Sequence, residues 1–553
     1  MFRFLPSSSP LAAVRRALAW LTVVGSGAAT LGLAWRTVLL TIAVALGGCA
    51  ALPGRVERPA SHALDDVAGT TLAKIAAAST AAASADAGPG ASGFRLLADG
   101  ADAFDARLAL IRRAEKSLDV QYYLIADDAS GREFVRALQG AAARGVRVRV
   151  LVDDLYATGQ DARFAALAKN DRVEVRLFNP LPVRGGGFAQ RIVLSMHEFS
   201  RINRRMHNKL FIADGSFAVA GGRNIADAYF DRGGDASFID MDVLASGPVV
   251  ARLAAVFDAF WNSPAAYPIA SLARDPGAGA GGGVAPSLVP GLEAARTTED
   301  VPVAAAEGTV AAELAAGRVA LEPASVEVLA DAPQKALGDD AGGTVAEAHD
   351  ALLASAQSEV LIASPYFVPG AEARSTLAAL RARDVAVSVL TNSLATTDEP
   401  LVHYGYASHR PALLQAGVDL HELMPAAEAG AEKHGSFGGS GGGSTTGSPG
   451  RLHTKLTVVD EERVFVGSMN MDARSARLNT EAGLVIHSAR LARLVAKFVR
   501  VRQELASYRV QQDGDRLAWR STAGEVRSEE PRATEEPALP VRVLAQLLGN
   551  GVL

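Results

Sequence analysis

Apolar residues along the chain follow two spacings in alternation. ADAFDARLALIRRAEKS repeats at the helical period, and LDVQYYLI is a short apolar run of the kind that forms a buried strand. SGREFVRALQGAAARG is again helical, with Gly145 placed to stop it, and VRVRVLVDD is a second strand. Helices alternating with strands predict a parallel or mixed sheet with helices on its faces. The pattern then recurs: TVAEAHDALLASAQSE, VLIASPYFVP, ARSTLAALRARD and VAVSVLTNSL repeat the order. Further on, FIDMDVLASG and NTEAGLVIHS are each followed by a helix, VVARLAAVFDAFW and ARLARLVAKFVRVR. The chain therefore reads as a duplication of one α/β unit. The two copies are expected over 94–271 and 326–510, with an Ala/Ser/Gly-rich linker at 50–93. A Gly/Ala/Pro-rich connector is expected at 272–325 and a tail at 511–553. The low-complexity stretch GSFGGSGGGSTTGSPG, just before Arg451, reads as a tolerated insertion.

One predicted strand in each half carries the same pattern, His-x-Lys-x-x-x-x-Asp. The first copy is His207, Lys209 and Asp214 in MHNKLFIADG; the second is His453, Lys455 and Asp460 in LHTKLTVVDE. Side chains alternate on a strand, so each His shares a face with its Lys. An imidazole that attacks or protonates, beside an ammonium that holds a phosphate, suits phosphoryl-type transfer. Seven residues after each Asp begins a matching tail, GGRN ending in Asn224 and GSMN ending in Asn470. Each sets an amide beside a glycine turn where the backbone can approach a ligand. A single copy would read equally well as a packed strand histidine and a solvated lysine; two copies with matching tails do not. Lysine is scarce, and two of the eight in the chain fall in these slots. His197, His403 and His409 lack such a setting and read as structural or rim residues, and Tyr366 and Phe367 as core and turn.

Length and composition narrow the setting. At 553 residues there is room for two substantial cores. A net charge of −5 supplies no global field toward nucleic acid, so any affinity for phosphate is local. The single cysteine, Cys49, excludes an intramolecular disulfide. It closes the apolar run TVLLTIAVALGGC and resembles the lipobox of bacterial lipoproteins, where the thiol is lipidated. About fifty residues precede it, including a second apolar run, Leu18 to Trp35, which is long for a signal segment. Either translation starts further in or the segment stays as an uncleaved anchor, and both tether the protein to a membrane. The expected location is the bacterial cell envelope, as a lipoprotein facing the periplasm. Ala50 in place of Asp after the cysteine favours the outer membrane by analogy with lipoprotein sorting.

RMHNKLFIADG with GGRNIADAYFD, SPYFVPG, LTNSLATTD and GSMNMDARSARLNTE resemble the phospholipase D superfamily, whose signature is the duplicated motif. Within it they are most similar to bacterial cardiolipin synthases of the C type. The resemblance covers roughly 94–510 and implies two homologous phospholipase D-type α/β domains with the active site at their pseudo-twofold interface. It implies a two-step transfer in which His207 becomes a phosphohistidine while His453 protonates the leaving alcohol and later acts as base. Lys209, Lys455, Asn224 and Asn470 would hold the phosphate oxygens, with no metal or other cofactor. Asp214 and Asp460, although part of the motif, would orient local structure. Two identical imidazoles must differ in protonation, and carboxylates on their distal nitrogens can set that difference. Glu481 is the candidate in the second half. In the first, Asp242 is preferred over the competing Asp240 and Asp235. The implied substrates are phospholipids, phosphatidylglycerol and phosphatidylethanolamine among them, rather than nucleic acid. Hydrolysis by water is the close alternative, a non-enzymatic lipid-binding scaffold the last, and the need for a protein partner stays open.

Overall fold

The computed structural model describes residues 51–83, 90–233, 237–272, 308–339, 342–425, 450–521 and 524–531. Cys49 and the apolar runs before it lie outside the described residues, as do most of the glycine-rich insert and of the connector between the halves. Helices begin where the sequence supplies caps: Asp99 accepts from the Asp102 N–H at 2.8 Å, and Thr344 forms a reciprocal capping box with Glu347.

The first half contributes β1 (Ser92–Leu97), β2 (Ser117–Tyr122), β3 (Arg147–Asp153), β4 (Val173–Phe178), β5 (Leu210–Ala213), β6 (Phe217–Gly221), β7 (Phe238–Ile239), β8 (Asp242–Ser246) and β9 (Ala266–Pro268). The second contributes β10 (Glu322–Ala330), β11 (Glu359–Ala363), β12 (Ala386–Asn392), β13 (Asp419–Leu423), β14 (Arg451–Leu452), β15 (Leu456–Val459), β16 (Arg463–Gly467), β17 (Ala482–His487), β18 (Ser507–Asp513), β19 (Arg516–Arg520) and β20 (Val526–Arg527). Hydrogen bonding orders the first set β1-β8-β6-β5-β2-β3-β4-β9, with β2, β3 and β4 parallel and the other pairs antiparallel. The second set runs β10-β17-β16-β15-β11-β12-β13-β18, with the same parallel trio, β11, β12 and β13. The duplication is thus repeated strand for strand in two mixed sheets. An antiparallel pairing of β1 with β10 joins them into one 18-stranded sheet.

Each half has its own core, and a third lies between them. That shared core brings Leu210, Ile212 and Val243 of one half together with Leu361, Leu456 and Leu484 of the other. The helices Val249–Trp261 and Ala489–Leu505 pack into it through Leu253, Phe257, Val495 and Val499. Side chains of this size contribute about 1.5–3 kcal/mol each when fully buried, so the two halves are bound as firmly as parts of one domain.

Three borders differ from the sequence reading. Residues 51–83 are folded against the first half: a helix spans Thr71–Ala83 and its Leu72, Ile75 and Ala76 are core residues. Alanine-rich composition there is helix propensity, not linker flexibility. Within the connector, Val310–Ala315 is helical with Val310 and Leu314 buried. Past residue 510 the sheet continues through β19 and β20, and Trp519 donates its indole N–H to buried Glu422 at 2.9 Å.

Candidate active site

Both motifs sit one step before the strands expected to hold them. β5 begins at Leu210 and β15 at Leu456, so each His-Lys pair lies in an extended lead-in. The reason is pairing across the halves. The His207 N–H donates to the Thr480 carbonyl at 2.9 Å, and the Thr480 N–H donates to Arg205 at 2.9 Å. Correspondingly, His453 N–H donates to Ile239 at 2.8 Å, and β14 pairs in parallel with β7. Each His-Lys lead-in is therefore held by the opposite half. The lysines fold back on the same chain: Lys209 Nζ donates to the His207 carbonyl at 2.6 Å and Lys455 Nζ to the His453 carbonyl at 2.5 Å.

The carboxylates are exchanged in the same way. His207 Nδ1 lies 2.9 Å from Glu481 Oε2, and His453 Nδ1 lies 2.6 Å from Asp240 Oδ2. Glu481 and Asp240 are 0% and 1% exposed. Asp242, the residue preferred by sequence for the first half, does not reach a histidine. Its carboxylate accepts from Arg107 Nη2 at 2.7 Å and from the Arg223 N–H at 3.1 Å, both buried. The preference assumed a regular strand, whereas the chain passes from β7 to β8 at residues 240–241, so alternation does not carry across.

Gly222 and Ser468 occupy equivalent places fifteen residues after each histidine and differ for a physical reason. A Cβ at Gly222 would meet Asp240 Oδ1 at 2.2 Å, so only glycine admits that carboxylate. Ser468 instead turns its hydroxyl to Glu481 Oε2 at 2.5 Å. The amides behind them are both buried with Oδ1 unpartnered, and Asn224 Nδ2 donates to Tyr229 Oη at 2.9 Å. Tyr229 Oη in turn lies 3.5 Å from His453 Nε2, the nitrogen that Asp240 leaves free. Asp214 and Asp460 stand at the far ends of β5 and β15, in left-handed turns with φ of 48° and 56°. Asp214 accepts the N–H groups of Glu115, Lys116 and Ser117, and Asp460 those of Gln357, Ser358 and Glu359. They anchor the starts of β2 and β11 and are separated from the imidazoles by the length of a strand.

Burial and the two ammonium groups dominate the electrostatics. Burial, reinforced by Lys209 and Lys455 against the pull of Glu481, lowers His207 to about 4. Burial and the neighbouring Lys455 hold His453 well below its ordinary value. Lys455 is pushed down to about 8 by burial, opposed by Asp240, and Lys209 is lowered for the same reason. The two carboxylates move in opposite directions. Burial raises Asp240; at Glu481 the same penalty is outweighed by His207, Lys209 and the Ser468 hydroxyl, so it stays ionised. Both imidazoles are neutral near pH 7, yet they face carboxyl groups of unlike character.

A family model described as cardiolipin synthase, PLD-like domain, matches residues 108–261 and 350–501, one motif in each stretch. The chain belongs to this phospholipase D-like family. Cardiolipin synthase C of Escherichia coli K12 is 38% identical to this family member over 416 residues, covering 74% of this chain and 84% of that protein. An uncharacterized protein of Helicobacter pylori 26695 is 30% identical over 420 residues, covering 74% and 78%. The crystal structure of phosphatidylserine synthase from Haemophilus influenzae Rd KW20 shares the fold, with a TM-score of 0.52 at 15% identity over 82% of this chain and 92% of that one. The protein is accordingly an enzyme of the phospholipase D superfamily.

Sequence reasoning did not single out three residues of this phospholipase D-like site: Tyr229, Gly222 and Ser468. The contrast between GGRN and GSMN was the available signal for the last two. Another cluster, His403 with Glu422 and Glu530, has the composition of a cation site. Its centre is taken by the Arg410 guanidinium, 2.7 Å from Glu422 Oε1, 2.5 Å from Glu530 Oε1 and 2.8 Å from His403 Nε2. It therefore clips the C-terminal segment to the second half.

Proposed function

We propose that this enzyme transfers a phosphatidyl group from phosphatidylglycerol or phosphatidylethanolamine to the free hydroxyl of a second phosphatidylglycerol, forming cardiolipin. The observation that carries the reading is the convergence of two His-Lys pairs whose carboxylates come from opposite halves and differ in character. Ionised Glu481 draws the His207 proton to Nδ1 and leaves the Nε2 lone pair free to attack phosphorus. Lys455 Nζ, 3.0 Å from His453 Nδ1, can donate a hydrogen bond to that nitrogen, while burial raises Asp240 above its ordinary value and weakens its draw on a proton there. That favours the tautomer whose Nε2–H faces the reaction. His207 is thus the nucleophile and His453 the acid.

In the first step the His207 Nε2–P bond forms, the bond from phosphorus to the headgroup oxygen breaks, and His453 Nε2 delivers its proton to that oxygen while Nδ1 takes one from Lys455 Nζ, 3.0 Å away, so the ring stays neutral. Glycerol or ethanolamine leaves. In the second step His453 Nε2 takes the proton of the acceptor hydroxyl while Nδ1 returns its proton to Lys455, the acceptor oxygen bonds phosphorus, and the P–N bond breaks. Lys209, Lys455, Asn224 and Asn470 would hold the non-bridging oxygens, so activity is expected to persist in a chelator. Water could replace the acceptor and give phosphatidic acid, but both histidines are at most 8% exposed, which favours a lipid hydroxyl. The segment ending at Cys49 would tether the enzyme to the bacterial envelope, facing the periplasm. No helix of the described residues is long and apolar enough to cross a membrane.

The test uses the full chain, wild type and His207→Ala, in phosphatidylglycerol vesicles with and without phosphatidylethanolamine, with products read by mass spectrometry. Cardiolipin from the wild type alone is expected. Phosphatidic acid without cardiolipin would make the enzyme a hydrolase, and a stimulation by phosphatidylethanolamine with ethanolamine release would name the donor.

A further inference from the structure

Residues 184–205, between β4 and the first motif, are turned inside out. In the helix Phe188–Leu194 the charged Arg191 is the buried residue, its guanidinium bonded to Asp154 Oδ2 at 2.8 Å, Thr158 Oγ1 at 2.7 Å and the Val183 carbonyl at 2.9 Å. The apolar side chains face outward: Phe188 is 45% exposed and Val193 41%, followed by Met196 and Phe199 at 45% each. With Tyr156 they make five of the nine large apolar side chains left exposed among the described residues. Apolar residues scattered singly need no account, but a cluster on one segment marks an interaction surface.

This patch is continuous with the reaction centre. Phe188 stacks on Tyr156 with centroids 5.9 Å apart and planes at 3°. Tyr156 meets Tyr123 edge-on at 5.3 Å, and Tyr123 meets His207 at 5.0 Å. Three ring contacts thus lead from the surface to the imidazole. The charge around the patch is one-sided as well. The segment has five arginines and one acid, Glu198, which is paired with Arg201 at 2.5 Å. Arg184 and Arg191 are tied to Asp154, and Arg205 to Asp153. Arg204, and exposed Arg477 whose carbonyl it meets at 3.4 Å, have no carboxylate partner among the described residues. In a chain of net charge −5 the rim of this patch carries uncompensated positive charge.

We infer that the 184–205 face docks on an anionic phospholipid bilayer and brings the mouth of the active site to the lipid. Phe188, Val193, Met196 and Phe199 enter the boundary between headgroups and acyl chains. Arg204 and Arg477 lie at the anionic headgroups, and the line of rings gives a lipid phosphodiester an apolar route to His207. The inference rests on the reading of the enzyme as a phosphatidyltransferase for its purpose; the docking itself can be tested apart from that reading.

Hydrogen exchange of the full chain is followed on vesicles of phosphatidylcholine alone and of phosphatidylglycerol with phosphatidylcholine. Any N-terminal tether acts in both, so a difference in peptides covering 184–205 reports this face. Slower exchange there on the anionic vesicles is expected. Equal exchange on both overturns the anionic assignment, and no protection on either overturns docking and leaves the face to a protein partner. A second arm uses the Val193→Ser/Met196→Ser/Phe199→Ser variant, altered only at exposed positions. Its turnover of phosphatidylglycerol vesicles is expected to fall about tenfold or more, with turnover of monomeric dihexanoylphosphatidylglycerol unchanged. Equal losses on both substrates overturn the inference. Protected 184–205 peptides in a wild type that makes no phospholipid product would sink the proposed reaction and leave the docking intact.

Discussion

Replacing Glu481 by Gln removes one charge and almost no volume from the centre of the site. The carboxylate is 0% exposed, lies 2.9 Å from His207 Nδ1 and accepts from Ser468 Oγ at 2.5 Å. In the proposed reaction the His207 ring becomes cationic as it bonds phosphorus, and a full charge about 4 Å from the ring is worth about 4 kcal/mol at an effective dielectric of about 20. The amide oxygen still accepts the Nδ1 proton and keeps part of that stabilisation, so about 2–4 kcal/mol of the barrier is exposed. This corresponds to a loss of about 30- to 1,000-fold in kcat/KM. The assay is the initial rate of turnover on dihexanoylphosphatidylglycerol over a range of concentrations, with a melting curve on the same preparation. The expected variant is folded, with KM little changed and kcat carrying the loss, because the interaction forms only as the ring gains charge. A folded Glu481→Gln enzyme within about fivefold of wild type would refute the argument that this carboxylate supports a cationic His207.

Lysine455, brought to about 8 by burial, loses its charge at lower pH than an exposed lysine, so kcat/KM should fall as pH rises through about 8. Lys455→Arg keeps its charge and should flatten that limb; an alkaline limb unchanged in the variant would assign it to another group. Since burial takes His207 down to about 4, the proposed nucleophile stays neutral at pH 5–7, and no loss of activity from its protonation is expected in that range. Gly222→Ala drives a methyl to 2.2 Å from Asp240 Oδ1 and should cut activity at least about tenfold while the melting point stays near that of wild type. Full activity in that variant would mean that Asp240 can move without cost. Asp460→Asn weakens the grip on the N–H groups of Gln357, Ser358 and Glu359 and should cost about 1–3 kcal/mol of stability, read by denaturant unfolding, with kcat/KM unchanged in the folded enzyme.

The parts of this protein that local chemistry decides were legible from sequence. Apolar period and the stop at Gly145 located the alternating elements, and the repeated pattern located the two His-Lys pairs. What depends on contact between distant segments was not. The lead-ins before β5 and β15 read as strand starts, because pairing of Met206 with Thr480 and of β7 with β14 crosses the two halves. The same crossing displaced the carboxylate from Asp242 to Asp240, where the chain leaves one strand partner for another. Residues 51–83 looked like a linker because alanine signals neither core nor disorder alone; Leu72 and Ile75 find a core only once the first sheet exists. The helix Phe188–Leu194 runs against amphipathic expectation, with its arginine inside and its phenylalanine outside.

Exchange of carboxylates between the halves also determines when the enzyme comes into being. His207 is synthesised first, then Asp240, then His453, and Glu481 last, so the first histidine waits for a partner made near the end of the ordered chain. A nascent first half carries an imidazole and an ammonium but no Glu481, the carboxylate that in the proposed reaction holds His207 in its attacking tautomer. In the proposed reaction, transfer therefore requires both halves to be assembled, since each histidine takes its carboxylate from the other half.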